Sequence, residues 1–95
     1  MAAYIIGRIE VTDPEAYKDY IAKVPDTVQR HGGRYLVRGG ASEVLEGSMP
    51  DRRTVCLEFA DREAALGWYN SPEYLPLREL RHSASIGDLF VVDGV

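Results

Sequence analysis

Cysteine occurs once in this chain, at Cys56, and histidine twice, at His31 and His82. A lone thiol closes no internal disulfide, so a reducing compartment is expected. No HxH, HxxxH or CxxC spacing is present to seed a metal site, and the reading is no metal and no cofactor. One of the two histidines could ligate a haem iron. Long apolar runs are missing too, and no stretch approaches membrane-spanning length. The opening "MAAYIIGRIEV" carries Arg8 and Glu10 where a secretory leader needs an unbroken apolar core. These features lead to the expectation of a soluble, cytoplasmic protein with no membrane partner. An excess of positive charge is absent as well. Eleven Lys and Arg stand against fifteen Asp and Glu, for a net charge of −4. The basic residues are scattered, which argues against nucleic acid as a partner. There is no internal repeat and no low-complexity linker.

What the chain does have is 45% hydrophobic residues in 95 positions. That suits a single folded domain, residues 1–95, with a small core. "AYIIGRIEV" (3–11) alternates: Ile5, Gly7, Ile9 and Val11 point one way, and Tyr4, Ile6, Arg8 and Glu10 the other. In "TDPEAYKDYIAKVPDTVQRHGG" the residues Tyr17, Tyr20, Ile21, Val24 and Val28 fall at helical spacing. Thr12 with Glu15 can form a capping box, or Asp13 can cap with Pro14 at the first helical position. Pro25 is expected to kink or restart this helix, and Gly32 to stop it in a left-handed turn. "RYLVR" (34–38) reads as a second strand, interrupted by a bulge at Gly39 and Gly40 before "ASEVLEG" continues it. "SMPDRR" reads as a turn. "TVCLEF" (54–59) is a third strand, with Val55, Leu57 and Phe59 on one face and Thr54, Cys56 and Glu58 on the other. Asp61 can cap a second helix that restarts at Ser71-Pro72 and breaks again at Pro76, with Leu77 and Leu80 carrying its stripe onward. "GDLFVVD" (87–93) is the last strand.

The order β-α-β-β-α-β is the split arrangement of ferredoxin-like α+β domains. Right-handed crossovers put both helices on one face of a four-stranded antiparallel sheet, with strands one and three central. The other face carries Tyr4, Ile6 and Cys56, with Leu36 and Phe90 as further candidates. An apolar face of that kind would be a large exposed patch on a monomer, so a homodimer closed through it is expected.

The glycine pairs of "QRHGGRYLVRGG" are not a phosphate loop, because no lysine followed by serine or threonine opens a helix there. They read as backbone geometry. His31 is expected at a helix C-terminus. Cys56 reads as an inert buried thiol, unless Arg8 on the same face lowers its pKa. Arg8, Arg38 and Glu58 are the best site candidates, read as sharing the open face, with Arg38's direction depending on the bulge. One reading is an ion-pair network. The other is a site where arginine holds a small organic anion and Glu58, the candidate catalytic group, handles a proton. Trp68, Tyr69, Asn70, Ser71 and Tyr74 cluster at the second helix's break. They read as packing, or as a binding wall where backbone N–H groups freed by the restart meet an anion.

"HGGRYLVRGG", then "VCLEFADREAALGWYNSPEYLPLRELR" and a final "VVDG", resemble the bacterial family of domains of unknown function 1330. The resemblance spans nearly the whole chain. It implies the dimeric α+β barrel superfamily, and it makes the segment around Trp68 and Tyr69 a cleft wall. That superfamily includes cofactor-free monooxygenases, small isomerases, haem-dependent enzymes and plain binding proteins, so the fold leaves the chemistry open. Three classes of function follow. The first is a small homodimer transforming an anionic or aromatic metabolite without a cofactor, as an isomerase or monooxygenase. The second is a non-catalytic binder or sensor. The third is a structural or stress-associated oligomer with no ligand.

Overall fold

The computed structural model describes residues 1–95. Its elements are β1 (Ala3–Val11), α1 (Pro14–Arg30), β2 (Arg34–Arg38), β3 (Arg53–Phe59), α2 (Arg62–Tyr69), α3 (Leu75–Ala84) and β4 (Ser85–Asp93). The strands form one antiparallel sheet in the order β2-β3-β1-β4, with β1 and β3 central. This is the ferredoxin-like split β-α-β-β-α-β fold. Its second helix is divided in two, so three helices cover one face.

Alternation decides which side chains lie under the helices. Ala3, Ile5, Gly7 and Ile9 are buried there, while Tyr4, Ile6 and Arg8 are half-buried on the opposite face. Leu57 and Phe59 of β3 join the buried set. Above them Trp68 and Tyr74 stack with ring centroids 4.0 Å apart, both fully buried. Their polar atoms are satisfied, as buried Trp and Tyr require. Trp68 Nε1 donates to Thr27 Oγ1 at 3.0 Å, and the Tyr20 and Tyr74 hydroxyls lie 2.8 Å apart.

Asp13 caps α1, its carboxylate accepting from the Ala16 N–H at 3.2 Å, with Pro14 at the first helical position. The helix does not restart at Pro25; it runs unbroken to Arg30. Proline removes one N–H, and the carbonyl so deprived is that of Ile21, four residues back. Arg38 Nη2 supplies the missing donor at 3.0 Å. Gly32 (φ 73°) ends the helix, and the Gly33 N–H closes back onto the Val28 carbonyl at 2.9 Å. Asp61 caps α2 through the Ala64 N–H at 2.8 Å. Pro76 does not break a helix; it sits in the first turn of α3, where its missing N–H costs nothing.

Strand β2 also differs from the sequence reading. The register shift lies between Tyr35 and Val37, so Leu36 is the bulged residue rather than Gly39 or Gly40. The strand then ends at Arg38, and residues 40–52 form no strand. Gly39 (φ 71°) turns the chain, its N–H donating to the Thr54 carbonyl at 2.8 Å. No helix of the chain is long and apolar enough to cross a membrane.

Candidate functional site

The open sheet face brings Arg8 and Glu58 onto one side, as alternation requires, but gives them different partners. In register Arg8 stands opposite Thr54 and Asp88, and Glu58 opposite Tyr4 and Arg34. Arg8 Nη2 donates to the Pro50 carbonyl at 2.8 Å, and its Nη1 lies 3.7 Å from Met49 Sδ. Glu58 accepts from Arg34 Nε at 2.7 Å and from the Tyr4 hydroxyl at 3.3 Å. Asp88 is bridged by Arg52 at 3.4 Å. Cys56, half-buried between them, has its pKa raised, first by burial and then by Glu58, and so rests as a thiol. Glu58 and Asp88 are thus paired within the chain, while Arg8 reaches only the loop carrying Met49 and Pro50 and its Nε is buried without a partner.

Arg38 is not on that face. The bulge at Leu36 reverses the phase of β2, so Arg38 pairs with Val55 and turns toward the helices. It stacks over the Tyr35 ring, 4.9 Å from the centroid, at the edge of a cavity of about 30 Å³ between the sheet and the helices. Two arginines absent from the sequence-level candidates line the same cavity, Arg53 from β3 and Arg81 from α3. None of the three forms a salt bridge. No Asp or Glu lines the cavity.

Arg81 is 7% exposed, and its Nε donates to the Tyr74 hydroxyl at 3.2 Å. Its Nη2 lies 3.4 Å from Nε2 of His82. Burial opposes the Arg81 charge, but the Tyr74 oxygen beside it outweighs that, and the guanidinium stays protonated with its pKa above the ordinary value. Arg53 packs against Gly39, where a Cβ would overlap its guanidinium, and its Nε is buried without a partner. The tyrosines around these cations are kept neutral. Burial, then neighbouring Tyr74, pushes Tyr20 far above the usual phenol value. Burial lifts Tyr35 to about 12, and raises Tyr17 against the opposing pull of Arg53 and Arg81. The cavity therefore presents guanidinium and phenol donors on an aromatic wall, and no base. Beyond Arg81 and Leu89, which line both, it adjoins an open groove of about 420 Å³ bounded by Tyr69, His82, Ser85 and Ile86.

The segment from Trp68 to Ser71 divides. Trp68 walls the cavity and Tyr69 lines the groove. Asn70 caps α2, its Nδ2 donating to the Leu66 carbonyl at 3.1 Å. Ser71 Oγ donates to the Trp68 carbonyl at 2.8 Å and accepts from the Tyr74 N–H at 3.2 Å. The turn leaves no cluster of free N–H groups of the kind the sequence reading entertained. The Ser71 N–H bonds the Trp68 carbonyl, and those of Tyr74 and Leu75 bond the Ser71 carbonyl. Arg53 and Arg81 did leave a signal in the sequence. Arg53 is in phase with Val55 and Leu57, and Arg81 falls on the stripe of Tyr74, Leu77 and Ala84. A cation on each apolar face marks a charge directed inward. No three His, Cys, Asp or Glu side chains converge to hold a metal ion.

Fold and topology place the chain among the dimeric α+β barrel folds. Its sequence places it more narrowly: it belongs to the family described as domain of unknown function (DUF1330), whose model matches residues 2–95. No curated protein is significantly similar in sequence. Among solved structures, the chain is similar to a protein of unknown function from Rhodopseudomonas palustris. The TM-score is 0.80 at 17% identity, over 99% of this chain and 82% of that one. It is also similar to a variant of SnoaB, a cofactor-independent oxygenase from Streptomyces nogalater, with TM-score 0.70 and 14% identity over 98% and 92% of the two chains. HapK from Hahella chejuensis gives TM-score 0.65 at 16% identity, over 98% of this chain and 92% of its own. At these identities the likeness is one of fold.

Proposed function

We propose that this chain is a cytoplasmic homodimer that binds or transforms a small anionic, aromatic or enolic metabolite without a cofactor. The site proposed is the cavity between sheet and helices, rather than a cleft on the open sheet face. The observation that carries this reading is the meeting of Arg38, Arg53 and Arg81 at one cavity that no carboxylate lines and no salt bridge neutralises. A partly buried, unbalanced positive site is costly, and a bound anion relieves it. Arginine's forked donors suit a planar carboxylate or enolate, and the tyrosine and Trp68 rings suit a flat apolar body.

Glu58 lies on the other face, held by Arg34 and Tyr4. With donors and no base in the cavity, the ligand arrives as an anion or gives its proton to water under the arginines' field. Should chemistry follow, reaction of such a preformed anion with dioxygen is the class that needs no protein base, whereas an isomerisation would need water to carry the proton. The resemblance in fold to a cofactor-independent oxygenase supports that class by analogy only. The enclosed part of the cavity holds little more than water, so the ligand must enter by the groove beside Arg81 or by displacing the exposed Arg38.

The test is a thermal-shift panel of small carboxylates and phenolates on wild type and Arg53→Met. At a hundredfold excess over Kd a ligand adds about 2.7 kcal/mol, which for a domain of this size raises Tm by roughly 10 °C or more. The expected outcome is stabilisation of wild type by at least one anion and its loss in Arg53→Met. If no anion stabilises wild type, the reading fails.

A further inference from the structure

The groove beside Arg81 has an apolar neighbour on the same strand. Its walls Tyr69 and Leu89 are shared with a second hollow of about 230 Å³, between α2 and β4, whose other lining residues are Ile5, Leu66, Phe90 and Val91. Every residue lining that hollow is hydrophobic. Sharing those two walls, the two spaces lie side by side along β4, an edge strand of the sheet, and together we call them the trough. It runs from Gly87, beside Arg81, His82 and Ser85, to Val91, beneath Leu66. Four residues of extended strand span about 13 Å, at ~3.3 Å per residue. The trough is thus cationic at one end and hydrocarbon at the other.

From this polarity we infer that the ligand is an amphipathic organic anion. Its carboxylate or enolate sits on Arg81, and an apolar body of several carbons lies over Leu89 and Tyr69 into the Leu66, Phe90 and Val91 hollow. The inference rests on the arginine-lined site proposed above and names the part of the ligand that site does not specify. Two features commit the occupant. Leu66, on a surface helix over the hollow, is 41% exposed, so apolar surface there is open to a ligand. The cation at the other end is buried, fixed by Tyr74, and unpaired by any acid, so an uncharged chain alone would leave it unanswered. An apolar body in a lined pocket with one polar anchor for orientation is the common form of a small-molecule site.

A series of straight-chain carboxylates from acetate to decanoate, below micellar concentrations, tests this by isothermal titration, with octanol as the uncharged control. Burial of each methylene raises affinity about fourfold until the hollow is full, and octanol binds much more weakly than octanoate. Leu66→Ser, at an exposed position of α2, lowers the gain per methylene. If short carboxylates bind and affinity does not rise with chain length, the apolar subsite is wrong and the anion site stands. A rise that Leu66→Ser leaves unchanged, or octanol binding as tightly as octanoate, overturns the inference as well. If no carboxylate of any length binds, the anion site itself fails and the inference goes with it.

Discussion

Arg38 donates to the Ile21 carbonyl at 3.0 Å, and that is the carbonyl which Pro25 leaves without a helical partner. The proline and the arginine are coupled through one oxygen, and the coupling holds the guanidinium at the cavity edge. We predict that Arg38→Met costs about 1 kcal/mol, the usual worth of such a bond on an exposed side chain. In a Pro25→Ala background the alanine N–H satisfies Ile21, and the same change should cost close to nothing. A double-mutant cycle in urea measures the difference directly. Equal costs in both backgrounds would show that the contact carries no stability.

Gly39 and Gly40 adjoin in sequence but not in role. Gly39 has φ 71°, and a Cβ there would overlap the Arg53 guanidinium; at Gly40 a Cβ meets nothing within 4 Å and φ is not positive. Gly39→Ala is therefore predicted to destabilise by about 1–2 kcal/mol through backbone strain, and to weaken anion binding by displacing Arg53. Gly40→Ala should be neutral within about 0.5 kcal/mol. Paired urea melts separate the two, and a Gly40→Ala cost as large as that of Gly39→Ala would refute the assignment.

Alkaline pH should unfold this protein before it ionises the cavity tyrosines. Burial is the first cause of the raised pKa at Tyr35, lifted to about 12, and at Tyr20 and Tyr17. A raised folded pKa contributes stability that is complete below the unfolded value of 10.0 and is lost as pH climbs through the folded one. Between pH 10 and 12 Tyr35 alone should forfeit on the order of 2 kcal/mol. Urea midpoints at pH 8, 10 and 11 should fall in that order, with little change between pH 8 and 9. A Tyr35→Phe variant should lose less over the same range. A midpoint that is flat to pH 11 would contradict the buried, neutral state of these phenols.

Periodicity made the sheet and its two faces legible. The alternation of Ile5, Gly7 and Ile9 against Tyr4, Ile6 and Arg8 is local, and so are the caps at Asp13 and Asp61. The site was less legible because it hangs on one bulge. A single extra residue at Leu36 reverses the phase of β2, and Arg38, grouped by its neighbours with Arg8 and Glu58, goes to the opposite face. The bulge has no local marker, since the glycines that suggested one lie after it. Pro25 misled in a related way. The donor that lets α1 continue comes from β2, seventeen residues beyond Ile21, and no reading confined to the helix could supply it. Arg53 and Arg81 were visible as cations in phase with apolar residues, but only the packed helices show that they converge.

The last prediction concerns the face the helices leave open. Ile6 stands at its centre, opposite Cys56 on one side and Phe90 on the other, with Val37 next to Cys56 on β2. Phe90 and Ile86 are each more than half exposed, and Leu36 and Val92 nearly so. Such a patch on a single chain favours association, and a face meeting its own copy closes with two-fold symmetry. The carboxylates there are already paired within one chain, Glu58 with Arg34 and Tyr4 and Asp88 with Arg52, which leaves Arg8 as the cation without an acid. A second copy would therefore bury few unpaired charges, which keeps the desolvation cost of joining low. The wild-type chain is predicted to sediment as a dimer at micromolar concentration. Ile6→Glu puts an unpaired carboxylate at the middle of the interface and should raise the dimer dissociation constant by at least a hundredfold, since an uncompensated buried charge costs about 3–5 kcal/mol. Far-ultraviolet circular dichroism on the same sample checks that the variant keeps its fold. A wild-type monomer at that concentration would exclude the dimer, and an Ile6→Glu variant that stays dimeric would place the interface on another surface.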